Sequence, residues 1–153
     1  NQLEAHACDR RNGRTARRVD AWRPVLHWTE ELVWEVLEKH RVSPPVPYRL
    51  GWSRSSCMMC IYNSPRVWAT IKHYWPERVM SIARYEQSFG VTVSRKRIDV
   101  LDLSAGVSPI RISDVDALNQ VSMEQYVLPV LVPAGQKWET PPGAFGREAC
   151  GSD

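Results

Sequence analysis

Apolar residues recur at helical spacing in three stretches, and each stretch is bounded by residues that start or stop a helix. Leu32, Val33, Val36, Leu37 and His40 form one stripe behind Thr29, a good N-cap, with Glu30 and Glu31 placed to complement the helix dipole and Trp28 and Val33 at staple spacing. Val67, Trp68, Ile71, Tyr74 and Trp75 form a second behind Ser64-Pro65. Val79, Ile82, Ala83, Glu86 and Phe89 form a third, opened by Pro76 and closed by Gly90. Ser43-Pro44-Pro45-Val46-Pro47 ends the first helix and stiffens the chain that follows.

Elsewhere the pattern is weaker. Asp20–Trp28 reads as a short extended entry, Val91–Ser94 as a brief strand, and Ile98, Leu101 and Leu103 fit either helix or extended chain. Ser113 is the expected cap of a short helix through Val115, Leu118 and Val121, and Tyr126–Val132 is β-prone. The predicted class is mainly α with short strands. Three regions follow: an arginine-rich arm or loop over 1–20, a helical domain over 21–132, and a loop-rich tail over 133–153.

At 153 residues one domain with a real core is expected. Twenty basic and 17 acidic residues give +3, too mild to mark a nucleic-acid binder. The distribution adds something: Arg10, Arg11, Arg14, Arg17 and Arg18 crowd the arm, which is a solvated face or a contact for phosphates or DNA. Four cysteines are too few for a disulfide scaffold and favour a reducing, cytoplasmic setting. No leader or bilayer-long apolar run is evident, so no membrane partner is expected. Seven tryptophans imply an aromatic core, and a start at Asn1 suggests a processed or excised product.

Candidate chemistry concentrates in Tyr48–Tyr62. Cys57 and Cys60, two residues apart, can place both sulfurs on one centre. Iron–sulfur cluster, zinc, redox dithiol and buried free thiols all fit that spacing. A closed site needs two more ligands, and Cys8 and Cys150 are the other thiols; His6 is a possible substitute. Met58, Met59 and Ile61 suit an apolar shell or simply the core. Arg49, Gly51, Ser53 and Arg54, with Ser55 and Ser56, can hold an anion through charge-assisted bonds, the glycine allowing close approach. Ordinary ion pairing of the two arginines with Glu30, Glu31 or Glu35 is the alternative. Trp52 suits a structural place beside Gly51 better than base stacking, and His27 and His40 suit capping or packing. No Ser/His/Asp array or carboxylate pair is spaced for hydrolysis.

Asp20–Glu31, then Tyr48-Arg49-Leu50-Gly51-Trp52-Ser53-Arg54-Ser55-Ser56-Cys57-Met58-Met59-Cys60-Ile61-Tyr62, resemble in that order the C-terminal half of the phosphoadenosine phosphosulfate (PAPS) reductase-like family of phages and bacteria. Arg84-Tyr85-Glu86 before Phe89-Gly90, and Trp138–Gly146, are similar to later blocks, so the resemblance covers roughly residues 10 to 150. It implies the C-terminal helical part of an adenine-nucleotide α-hydrolase-like α/β fold. The family's Ser-Gly-Gly phosphate loop, which binds ATP or a sulfonucleotide, is missing, and Leu103-Ser104-Ala105-Gly106 does not replace it. The Glu-Cys-Gly tail of assimilatory reductases is also missing. The closer resemblance is to the branch that includes DNA-phosphorothioation sulfurtransferases, where cysteines hold an iron–sulfur cluster.

The implied activity is oxidoreductase or sulfurtransferase chemistry on an adenine nucleotide, with Cys57 and Cys60 delivering sulfur or electrons and Arg49 and Arg54 steadying the anionic end. Thiolate is the reactive form. A phosphate-loop half or partner subunit would be required, and the chain by itself is expected to be inactive. The alternative class is a non-catalytic, metal-stabilised module that binds DNA or a protein.

Overall fold

The structure, a computed structural model, describes the backbone of Ala5–Cys8 and Arg18–Ala21 and the whole of residues 23–146. The chain divides into two compact units, Asn1–Val36 and Leu37–Asp153. Among the described residues the regular structure is mostly helical, as the periodicity predicts.

In the first unit, β1 (Ala5–Cys8) pairs antiparallel with β2 (Arg18–Ala21), with Ala5 opposite Ala21 and Cys8 opposite Arg18. Pairing inside the arm was not expected from its polar composition, because a backbone ladder leaves no apolar signature when neither strand alternates strongly. Helix α1 (Glu30–Lys39), whose last three residues belong to the second unit, starts where Thr29 predicts: Thr29 Oγ1 accepts the Leu32 N–H at 3.3 Å. The Glu31 carboxyl is held below the usual range by its backbone hydrogen bond and by the Thr29 hydroxyl. The predicted stripe needs correcting, however. Leu32, Val33 and His40 are exposed, and the buried residue is Trp34, whose Nε1 donates to Glu30 Oε1 at 3.1 Å.

In the second unit, α2 (Val46–Arg49) is a single turn entered through Pro45 and Pro47. Helix α3 (Pro65–Tyr74) is capped by Ser64, whose Oγ accepts the Val67 N–H at 3.3 Å, and α4 (Pro76–Phe89) ends at Gly90 with φ 64°. Asp99 caps α5 (Val100–Leu103), resolving the ambiguous stretch as helix. Asp114, not Ser113, caps α6 (Val115–Gln120): its side chain accepts the Ala117 N–H at 2.9 Å.

The core forms where α3 packs on α4 and α5, and α2 packs on α6. Val67, Trp68, Ile71, Trp75 and Val79 are buried there with Leu50 and Trp52 from the segment that leads to the cysteines. Trp52 is 4% exposed, so its role is structural. Phe89 leaves the predicted stripe: it is 72% exposed and stacks on Tyr85, with centroids 6.3 Å apart.

The predicted strand at Val91–Ser94 is a loop instead. Buried Glu86 supplies the reason, since its Oε1 accepts the Val93 N–H at 2.8 Å and its Oε2 accepts the Val100 N–H at 2.9 Å. One carboxylate thereby takes a donor that a ladder would need and braces the start of α5. The β-prone run at 126–132 forms only a bridge, Leu131 with Val42. Pro129 and Pro133 on one side and Pro44 and Pro45 on the other lack the N–H groups needed to extend it.

Candidate functional site

The cysteine turn is built from short-range bonds on a braced base. Cys60 N donates to Cys57 O at 3.1 Å, and Asn63 N donates to Cys60 O at 2.9 Å. Buried Asn63 also donates from Nδ2 to Met58 O at 2.6 Å, fixing the carbonyl inside the turn. Met58 and Met59 pack on the core, whereas Ile61 is 45% exposed. Both cysteines are free thiols; Cys57 is exposed and Cys60 is half-buried.

Arg54 stands on the sulfur. Its Nη2 donates to Cys60 Sγ at 2.7 Å, and its Cζ lies 5.4 Å from the Tyr62 ring centroid. Its Nε is buried with no acceptor among the described residues. A guanidinium so placed brings positive charge against the Cys60 sulfur.

Arg49 does something different. Its Nε and Nη2 donate to Asp114 at 2.7 and 3.0 Å, a bidentate pair that ties α2 to the cap of α6. The ion-pair partner of Arg49 is thus Asp114. Burial pushes the Asp114 carboxyl up, but the Arg49 hydrogen bonds, the Ala117 N–H and the guanidinium charge outweigh it and hold the carboxyl below its ordinary value. Arg49 and Asp114 line a cleft of about 490 Å³ with Lys137 and Glu139.

Gly51, at φ 90°, is explained by packing: a Cβ there would sit 2.8 Å from Ile110 Cγ2. The tail supplies a second glycine. Gly143 N donates to Tyr48 O at 2.9 Å, and a Cβ on Gly143 would overlap the Trp52 carbonyl. The predicted loop-rich tail is thus irregular in backbone yet packed, with Trp138 buried and its Nε1 donating to Val42 O at 2.8 Å. Ser53 is half-buried near Gly146. An apolar groove of about 660 Å³ opens beside the turn, lined by Leu50, Trp52, Met58, Val121 and Tyr126.

The structure therefore brings Cys57, Cys60 and Arg54 into one loop and sends Arg49 and Gly51 into the supporting frame. Among the described residues no group of three His, Cys, Asp or Glu side chains is arranged to hold a metal. The side chains of His6, Cys8 and Arg18, together with Cys150 and the arginines at 10, 11, 14 and 17, lie outside the described residues. Tyr62, Asn63 and Asp114 were missed from sequence. Asn63 at three residues past Cys60 was the available signal, since an amide there can close a turn.

No protein-family model matches the chain, and no solved structure matches it. Over 69 residues the chain is 36% identical to a protein of Escherichia phage 186 described as an uncharacterized 37.8 kDa protein in the gpa 5' region. The match takes in 45% of this chain and 21% of the phage protein, so the chain spans about a fifth of that relative's length. Among the described residues no helix is long and apolar enough to cross a membrane.

Proposed function

We propose that this chain is the cysteine-bearing portion of a PAPS reductase-like sulfurtransferase or nucleotide-activating enzyme, with its helices forming part of an adenine-nucleotide α-hydrolase-like fold. The observation that supports this most is Arg54 Nη2 at 2.7 Å from Cys60 Sγ, within a two-residue-spaced cysteine turn. In this proposal exposed Cys57 meets the incoming sulfur or electron carrier, and Cys60, under Arg54, is its intraloop partner. An iron–sulfur cluster would be held by Cys57 and Cys60 together with further ligands, and would supply electron transfer or a sulfur reservoir. The nucleotide would be bound by a phosphate-loop half that these residues do not contain.

The test is metal and sulfide analysis of anaerobically isolated protein. Iron with acid-labile sulfide and a visible absorbance band, both lost in Cys57→Ser and Cys60→Ser, is the expected result. Zinc without sulfide would favour the metal-stabilised binding module. The absence of metal, together with failure of the two thiols to interconvert with a disulfide, would overturn the proposal.

A further inference from the structure

Arg41 and Arg49 in the second unit are spent on the fold. Arg41 donates to the carbonyls of Val132, Pro133 and Gln136, and Arg49 to Asp114. Arg54 and Arg95 differ from these. Their Cζ atoms lie 5.4 and 5.2 Å from the same Tyr62 ring centroid, and neither has a carboxylate partner among the described residues.

Arg95 reaches this ring from a remote segment that is itself braced. Glu86 holds Val93 N at 2.8 Å, Ser94 O accepts Arg97 N at 3.0 Å, and Ser94 Oγ accepts Lys96 N at 3.2 Å. The Tyr62 ring attracts both cations without neutralising either. Two guanidinium groups are therefore held at one ring in advance of any ligand, which lowers the ordering cost of binding one. Guanidinium donors are planar forks that match the oxygens of tetrahedral anions. Tyr62 is 42% exposed and Arg95 is exposed, so solutes can reach the pair, and Arg54 links it to the Cys60 sulfur.

We infer that Arg54, Tyr62 and Arg95 form a binding site for a sulfate, sulfonate or phosphate group beside Cys60. The site rests on the sulfur-transfer proposal for what the anion does, while its binding is measurable separately. Arg95 and Tyr62 are the residues that this inference adds to the cysteine loop.

Two measurements on the reduced chain test it. Calorimetric titration with sodium sulfate and with sodium phosphate, at constant ionic strength in chloride, should show saturable binding that weakens about tenfold in Arg95→Ala and Tyr62→Leu. Tyr62→Phe, which keeps the ring face, and Arg97→Ala should bind as the parent does. Alkylation, located by fragment mass spectrometry, should show Cys60 favouring iodoacetate over iodoacetamide severalfold more than Arg95→Ala does, and phosphate should suppress the excess. A short single-stranded oligonucleotide that suppresses it at far lower concentration would assign the anion to a nucleic-acid backbone; equal suppression per phosphate would assign it to a small molecule. No saturable binding, or an iodoacetate preference unchanged in Arg95→Ala with thermal stability preserved, would overturn the site. Loss of the metal and disulfide chemistry with anion binding intact would sink the sulfur-transfer proposal alone.

Discussion

The helical stretch 65–103 and the irregular stretch 107–146 are held by opposite means. In the first, an apolar stripe does most of the work: Val67, Trp68, Ile71 and Val79 are each at most 1% exposed. In the second, single polar groups grip the backbone. Gln120 alone donates to Gln125 O at 2.8 Å and accepts the N–H groups of Val127 and Leu128 at 2.8 and 3.3 Å. Asp114 joins a cap to an ion pair, and Trp138 ties the tail to Val42. Damage to the first stretch should scale with deleted volume, and damage to the second with the geometry of one group.

Substitutions can break this contrast. Trp68→Ala, at a fully buried site, should cost about 4 kcal/mol in denaturant unfolding, with the whole second unit losing stability together. Gly143→Ala should cost about 3 kcal/mol because its Cβ meets backbone rather than a movable side chain. Its damage should also be local: hydrogen exchange at residues 48–52 and alkylation of Cys57 should rise before the helices loosen. A Gly143→Ala protein that behaved like Trp68→Ala, losing everything at once, would erase the distinction.

Asp114→Ala comes next, at about 2 kcal/mol, for one lost cap and one charge-assisted pair. The pH dependence has a definite sign. The folded carboxyl sits below its ordinary value, so the unfolded chain takes up the proton first as the solution is acidified. This stabilisation is complete above the ordinary carboxylate range, near about 4, and is lost as pH falls through the folded value. Denaturation midpoints of the parent and Asp114→Asn should therefore converge on acidification; parallel curves would remove the ion pair from the account. The smallest effect is expected at Phe89→Ser, under about 0.5 kcal/mol, since that ring is largely in solvent.

The arginines show why the candidate site was only half legible. Arg49 and Arg54 are alike in sequence, each within four residues of a glycine and a serine. One meets a carboxylate that is 65 residues away, and the other meets a sulfur six residues away. Local spacing could reveal the second and carried no information on the first. Arg95, 41 residues beyond Arg54, was equally hidden, because only the packing of α3 on α4 and the Glu86 brace bring its loop to the Tyr62 ring.

What the amino-acid order determined by itself was whatever depends on neighbours within a turn or two: the Thr29 and Ser64 caps, the Pro65 and Pro76 starts, the Gly90 stop, and the cysteine turn. These rest on backbone donors and torsions that a few residues settle among themselves. Tertiary structure decided which apolar residues were needed inside, as with Trp34 against Leu32 and Phe89, and which strand-prone runs stayed single. A strand requires a partner with free N–H groups, and a side chain is buried only if another surface arrives to cover it; both conditions are set by residues far away along the chain.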